Sequence, residues 1–211
     1  MAIPLKVPLS LAGVTVATAG IGTLAFKGLS SSGGDKSISF FLDKDLSKRA
    51  ISKEEDSHWT KAVEAYKRSA KDVWSMGSEV ALRIRNVCKE KLESKVSGTS
   101  DDAYKNFISY CARDTLISDL LKDWKETILS KSEGAETKAW KDAWNRYREA
   151  NKQLVVPDAW GVDNFSSIKE KADQDAPESF RDRCESNLGS NDIFNMTLFE
   201  NVKNWCTLPK T

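Results

Sequence analysis

Apolar residues recur at intervals of four and three along much of the chain, the spacing that lays them on one face of a helix. Trp59, Val63, Tyr66, Ala70 and Val73 form one such stripe, and Trp140, Trp144, Tyr147, Ala150 and Leu154 form another. Further helices are predicted from about Gly77 to Ser94 (Val80, Ile84, Val87) and from Ala103 to Ser130 (Phe107, Cys111, Ile117, Leu121, Trp124, Ile128). A last one carries Leu198, Val202 and Trp205. Turn residues interrupt the pattern at 97–101 and 130–134, and Pro157 stops the second Trp-Tyr stretch. The expected fold is all-α, an antiparallel helical bundle, because short connections make successive helices neighbours. A Trp or Tyr on the apolar face of such a helix is more often core than the lining of a ligand groove.

The pattern also repeats. Trp59, Ala62, Tyr66 and Lys67 have the layout of Trp140, Ala143, Tyr147 and Arg148. Arg85-Asn-Val-Cys88 with Leu92 matches Arg181-Asp-Arg-Cys184 with Leu188, and Tyr110-Cys111 follows its cysteine partner as Trp205-Cys206 follows Cys184. Three elements in the same order predict two diverged helical repeats, at about 53–131 and 132–211, within one helical domain spanning 53–211.

Residues 7–26 carry no charge and are bracketed by Lys6 and Lys27, a length that crosses the hydrocarbon core of a bilayer as a helix. The expectation for 1–28 is a single-pass transmembrane anchor, with the bulk of the chain outside the cytoplasm. Ala17-Thr18-Ala19 keeps a cleaved signal peptide open as the rival reading, and a buried core helix is a third. No cysteine lies near enough for lipid attachment, since the first is Cys88. Ser30 to Gly34 has the composition of a flexible tether, and 29–52 is expected to be linker; Ser37 to Leu46, with Phe40 and Phe41, fits a strand, a docking segment or a turn of helix equally.

Charge changes this picture little. Lys plus Arg number 32 against 31 Asp plus Glu, and basic pairs such as Lys48-Arg49 and Lys67-Arg68 have acidic neighbours, so no nucleic-acid partner is expected. The four cysteines, Cys88, Cys111, Cys184 and Cys206, allow three pairings. The repeat favours Cys88 with Cys111 and Cys184 with Cys206, which agrees with an oxidising location; buried free thiols and a metal site are the alternatives.

Chemistry is hard to find. His58, the only histidine, lies in an acidic helix start and has no local nucleophile motif to serve. Ser166 and Lys169 fit Ser-x-x-Lys without its companion motifs, and Gly20-Ile21-Gly22 lacks the rest of a dinucleotide fingerprint. Asp101-Asp102 and Asp173-Gln174-Asp175 lack calcium-loop spacing and read as solvated surface, while Asn164 and Asn195 begin glycosylation sequons in form only. No catalytic, cofactor-binding or metal residue is assigned, and no enzyme is expected.

Lys6-Val-Pro-Leu-Ser-Leu-Ala-Gly-Val14, the Ser/Gly tether, the charged helical body with tryptophans and Trp205-Cys206-Thr207 together resemble the large paralogous families of uncharacterised proteins of haemotropic mycoplasmas. The resemblance implies a membrane-linked, surface-exposed protein whose many copies are suspected of supporting antigenic variation, and it implies no catalytic residue. The expected function is therefore that of a non-enzymatic, membrane-anchored surface protein that meets a host component or is displayed as a variable antigen. Alternatives are a structural or assembly factor of the bacterial envelope, pairing its anchors through Gly13 and Ala17, and, remotely, an unrecognised enzyme.

Overall fold

The structure, a computed structural model, describes residues 35–154, 158–171 and 173–209. It is mostly α-helical, as expected. The predicted anchor at 7–26 lies outside the described residues, and among those described no helix is long and apolar enough to cross a membrane.

The chain runs β1 (Lys36–Ser37), α1 (Ile38–Leu42), β2 (Lys48–Ala50), α2 (Asp56–Ser69), α3 (Val80–Leu92), β3 (Lys95–Val96), α4 (Asp102–Cys111) and β4 (Ala112–Asp114). It continues with α5 (Ile117–Asp123), α6 (Lys138–Asn151), α7 (Phe165–Ile168), α8 (Glu178–Leu188) and α9 (Met196–Cys206). Short polar side chains start several helices by accepting an otherwise orphaned backbone N–H. Asp101 does so for α4, Thr137 for α6 and Asn195 for α9. Helix α2 has Asp56 in its first turn, Lys67 and Arg68 in its last, and stops where Ala70 turns left-handed.

Two hydrophobic clusters result. The first gathers α1 to α4 around Ile38, Trp59, Tyr66, Ile84 and Phe107, with α2, α3 and α4 packed on one another. The second gathers α5 to α9 around Ile117, Leu121, Trp140, Trp144, Tyr147, Phe180 and Val202, and α9 packs against both α6 and α8.

Two sequence expectations need correction. Residues 36–51, expected within a linker, are part of the first cluster: Ile38 is fully buried, Leu42 and Ile51 nearly so. Short strands hold them there, β1 pairing with β3 and β2 with β4, both antiparallel. The single helix expected from Ala103 to Ser130 is broken. It stops at Cys111, Ala112 is extended, and the strand that follows pairs with β2 before α5 begins. The apolar period runs through this break because it serves two cores in turn: Phe107 and Cys111 face the first cluster, Ile117 and Leu121 the second. The division between clusters thus falls near residue 115 rather than 131.

The clusters share contacts in the same order. The N–H of Ile38, opening α1, donates to the Ser94 carbonyl at 3.0 Å; that of Ile117, opening α5, donates to Ser190 at 2.9 Å. Trp59 Nε1 donates to the Ser52 carbonyl (2.7 Å) and Trp140 Nε1 to Ser130 (3.0 Å). The Tyr66 hydroxyl accepts from the Trp74 N–H at 2.8 Å, and the Tyr147 hydroxyl from the Trp160 N–H at 3.1 Å. Each of these tyrosine rings lies against the tryptophan it bonds, with centroids 5.5 and 5.4 Å apart. An aspartate two residues before each tryptophan receives the N–H of a buried apolar residue two after it, Asp72 from Met76 and Asp158 from Val162. Burial pushes both tyrosine hydroxyls above their ordinary pKa.

An ion network joins the clusters. Arg113 donates from Nε to Glu55 (2.6 Å), and from Nη1 and Nη2 to the two Asp119 oxygens (2.5 and 3.0 Å). Arg49 pairs with Asp123, and Asp114 takes Lys48 on one oxygen and Asn191 on the other. Burial pushes the Asp119 carboxyl up, but hydrogen bonds from Arg113 and the Leu116 N–H outweigh it and hold the pKa below the ordinary value. Glu55 is lowered by the same balance, burial against Arg113 and Ser52.

Tyr147→Phe should destabilise the protein by about 2 kcal/mol in urea titration, since it leaves the Trp160 N–H without its acceptor. Arg113→Ala should cost about 3 kcal/mol by stranding two carboxylates. Because both folded-state carboxyl pKa values are lowered, their contribution is complete above about pH 5 and is lost as the pH falls through the depressed values. In Asp119→Asn the difference in urea midpoint between pH 7 and pH 3 should accordingly shrink; an unchanged difference would discount the network.

Candidate functional site

The aromatic stripes are core. Trp59, Tyr66, Trp140, Trp144 and Tyr147 are all buried. Ala70 caps its helix and Leu154 is exposed, so both stripes end earlier than the spacing predicts.

The cysteines pair as the repeat favours. Cys88 joins α3 to the end of α4 with Cα atoms 5.4 Å apart, and Cys184 joins α8 to the end of α9 at 5.6 Å. Each pair is buried in its own cluster. Next to each, the residue preceding the Trp-helix loop is tied by its backbone: Ile51 N–H to the Cys111 carbonyl and Leu129 N–H to the Cys206 carbonyl, both at 2.9 Å.

The residues weighed for chemistry stay apart. His58 is half-buried in the first turn of α2, and among the described residues its imidazole bonds neither a nucleophile nor a carboxylate. Ser166 is exposed, and the Lys169 ammonium is spent on the Lys152 carbonyl at 3.0 Å. Asp101 caps α4, Asp102 pairs with Lys105, and Asp175 pairs with Lys141. Asp173 and Asp175 line a wide, shallow depression with Asp163 and Glu178. Among the described residues no group of His, Cys, Asp or Glu is placed to hold a metal.

A groove of about 460 Å³ lies over the first disulfide. Its floor is Ile51, Trp59, Leu92, Phe107 and the Cys88–Cys111 bridge; its rim is Lys53, Arg85, Asn86 and Lys89. The elements explain the placement. The β2 strand ends at Ala50 and delivers Lys53 to one bank, and α3 presents Arg85, Asn86 and Lys89 along the other while Cys88 turns inward. Arg85 is pinned, donating to the Lys53 carbonyl (3.2 Å) and to Asp56 (2.6 Å), with its guanidinium 5.6 Å from the Trp59 ring centre. The lining contains three cationic side chains and no carboxylate. Such a surface takes an apolar group on its floor and an anion at its edge.

The corresponding place in the second cluster is built differently. Arg181 again donates to the carbonyl of a lysine, Lys131, at 3.3 Å. Lys131 itself pairs with Asp182 and lies 3.8 Å from Glu185, so the chain's own carboxylates stand across this bank. The sequence held the signal: aligning Arg85-Asn-Val-Cys88-Lys89 with Arg181-Asp-Arg-Cys184-Glu185 shows both acids of one replaced by Asn and Lys in the other. Read as composition rather than by position, the two segments look alike.

Against protein-family models, curated proteins and solved structures the chain finds no match.

Replacing Cys88 and Cys111 by Ser, or Cys184 and Cys206, should each lower stability by about 3 kcal/mol, from the restriction that a loop of 23 or 22 residues places on the unfolded chain. Denaturant titration of the two double variants, with and without reductant, measures it; an oxidised double variant matching the parent would refute a stabilising role.

Proposed function

We propose that this is a non-enzymatic surface protein, exported and held at the membrane by residues 7–26, that works by meeting a host component or as a displayed antigen. Its folded body is read as two diverged copies of one helical unit, residues 36–115 and 116–209, arranged as antiparallel bundles. The observation that carries this reading is the closure of one cysteine pair inside each buried cluster, since such bonds persist in oxidising surroundings outside the cytoplasm. The two-unit reading is supported by the recurrence, in the same chain order, of the helix-opening bond to a serine carbonyl, the Trp indole bond and the Tyr–Trp contact. The resemblance to haemotropic mycoplasma surface families points the same way, as does the charge-free leader.

Protease added to intact cells should digest the chain while leaving cytoplasmic markers whole, and non-reducing digestion with mass spectrometry should return the peptides of Cys88 with Cys111 and of Cys184 with Cys206. Protection of the chain until lysis, or four thiols that alkylate before reduction, would sink the proposal.

A further inference from the structure

We propose that the groove over the Cys88–Cys111 bridge binds an acidic peptide segment of a partner protein, one in which a bulky apolar side chain is flanked by Asp or Glu. The apolar side chain enters between Trp59, Leu92 and Phe107, and the carboxylates reach Lys53 and Lys89. Charge complementarity is the argument for this occupant. Lys53 and Lys89 are exposed, line the same opening, and form no ion pair among the described residues. The neighbouring Asp56 directs its Oδ1 to Arg85, and it pairs with neither lysine among the described residues.

The second cluster indicates what such a bank accepts. There a lysine one residue past the indole-accepting serine, as Lys53 is past Ser52, holds two carboxylates of α8. Asp182 stands two residues before its cysteine and Glu185 one after, the places of Asn86 and Lys89 around Cys88. The first cluster therefore keeps the cation of this pairing, loses both acids and adds a second cation, leaving the anionic half to be supplied by another chain. This inference rests on the two-unit reading for its comparison, but its binding test does not depend on where the protein resides.

The test uses the full chain in a neutral detergent. The probe is an array of hexapeptides whose two central residues vary over Leu, Ile, Phe, Trp and Met and whose flanks are both Glu, both Gln or both Lys; the tightest binder is then titrated by calorimetry. Glu-flanked peptides should bind at one site per chain, roughly tenfold tighter than their Gln counterparts, and binding should weaken as salt rises. Asn86→Asp combined with Lys89→Glu should rebuild the internal pairing on Lys53, leaving the melting temperature intact while binding falls at least tenfold. The reciprocal pair, Asp182→Asn with Glu185→Lys, should open a second site and raise the stoichiometry to two. Equal binding of Gln-flanked peptides, or undiminished binding in the first double variant, would overturn the proposal. So would occupation of the groove by oleate or by phosphatidylglycerol vesicles where no peptide binds. Loss of binding in the first variant with stoichiometry unchanged in the second would uphold the groove and count against the two-unit reading alone.

Discussion

In each cluster a single residue carries two ties. Cys111 is bonded through sulfur to α3 and through its carbonyl to the N–H of Ile51; Cys206 is bonded through sulfur to α8 and through its carbonyl to the N–H of Leu129. The end of the last helix, the middle of another and the segment entering the Trp helix therefore meet at one point. Aromatic packing fills the space around that point. Tyr110 and Trp205, each one residue before the doubly tied cysteine, set their rings edge-on to Tyr66 and Tyr147, with centroids 5.0 and 4.9 Å apart. A domain of this size has little margin between buried area and chain entropy, so a covalent tie at the centre of the packing weighs more than one at the periphery.

What could be read beforehand follows from this arrangement. The Trp-Tyr stripes are legible because helical burial imposes its period on residue choice, and the cysteine pairing because the spacing recurs. The broken helix after Cys111 was not legible. Ile117 and Leu121 continue the apolar period although they face a different core, and periodicity carries no information about which core a residue enters. The segment 36–51 escaped for a related reason: Ile38 and Leu42 make one short turn of helix, too brief for a period, and their burial depends on strand partners 58 or more residues away, at Lys95–Val96 and Ala112–Asp114. The groove was legible only by comparing positions within the chain, since nothing about Lys53 or Lys89 in isolation distinguishes them from any solvated lysine.

The junction between clusters is polar where the clusters are apolar. Arg113 lies one residue past the start of β4, so the pairing that ends the first cluster also aims its guanidinium at Asp119 on the first helix of the second. A planar guanidinium gripping two carboxylates fixes direction as well as distance, which a hydrophobic contact of equal area does not. The two clusters are consequently set in register by a hydrogen-bonded fork, with Asp114 bridging Lys48 and Asn191 beside it.

Helix α3 illustrates how such a scaffold separates what must stay from what is free to change. Its inward side, Val80, Ile84 and Cys88, is held by packing and by sulfur, whereas Asn86 and Lys89 stand in solvent one or two residues away. Exchanging the outward residues alters neither a buried volume nor a backbone bond. A lineage carrying this chain could thus redraw its outer electrostatic face many times over without paying in foldedness, and a binder raised against one version would meet a different landscape on the next.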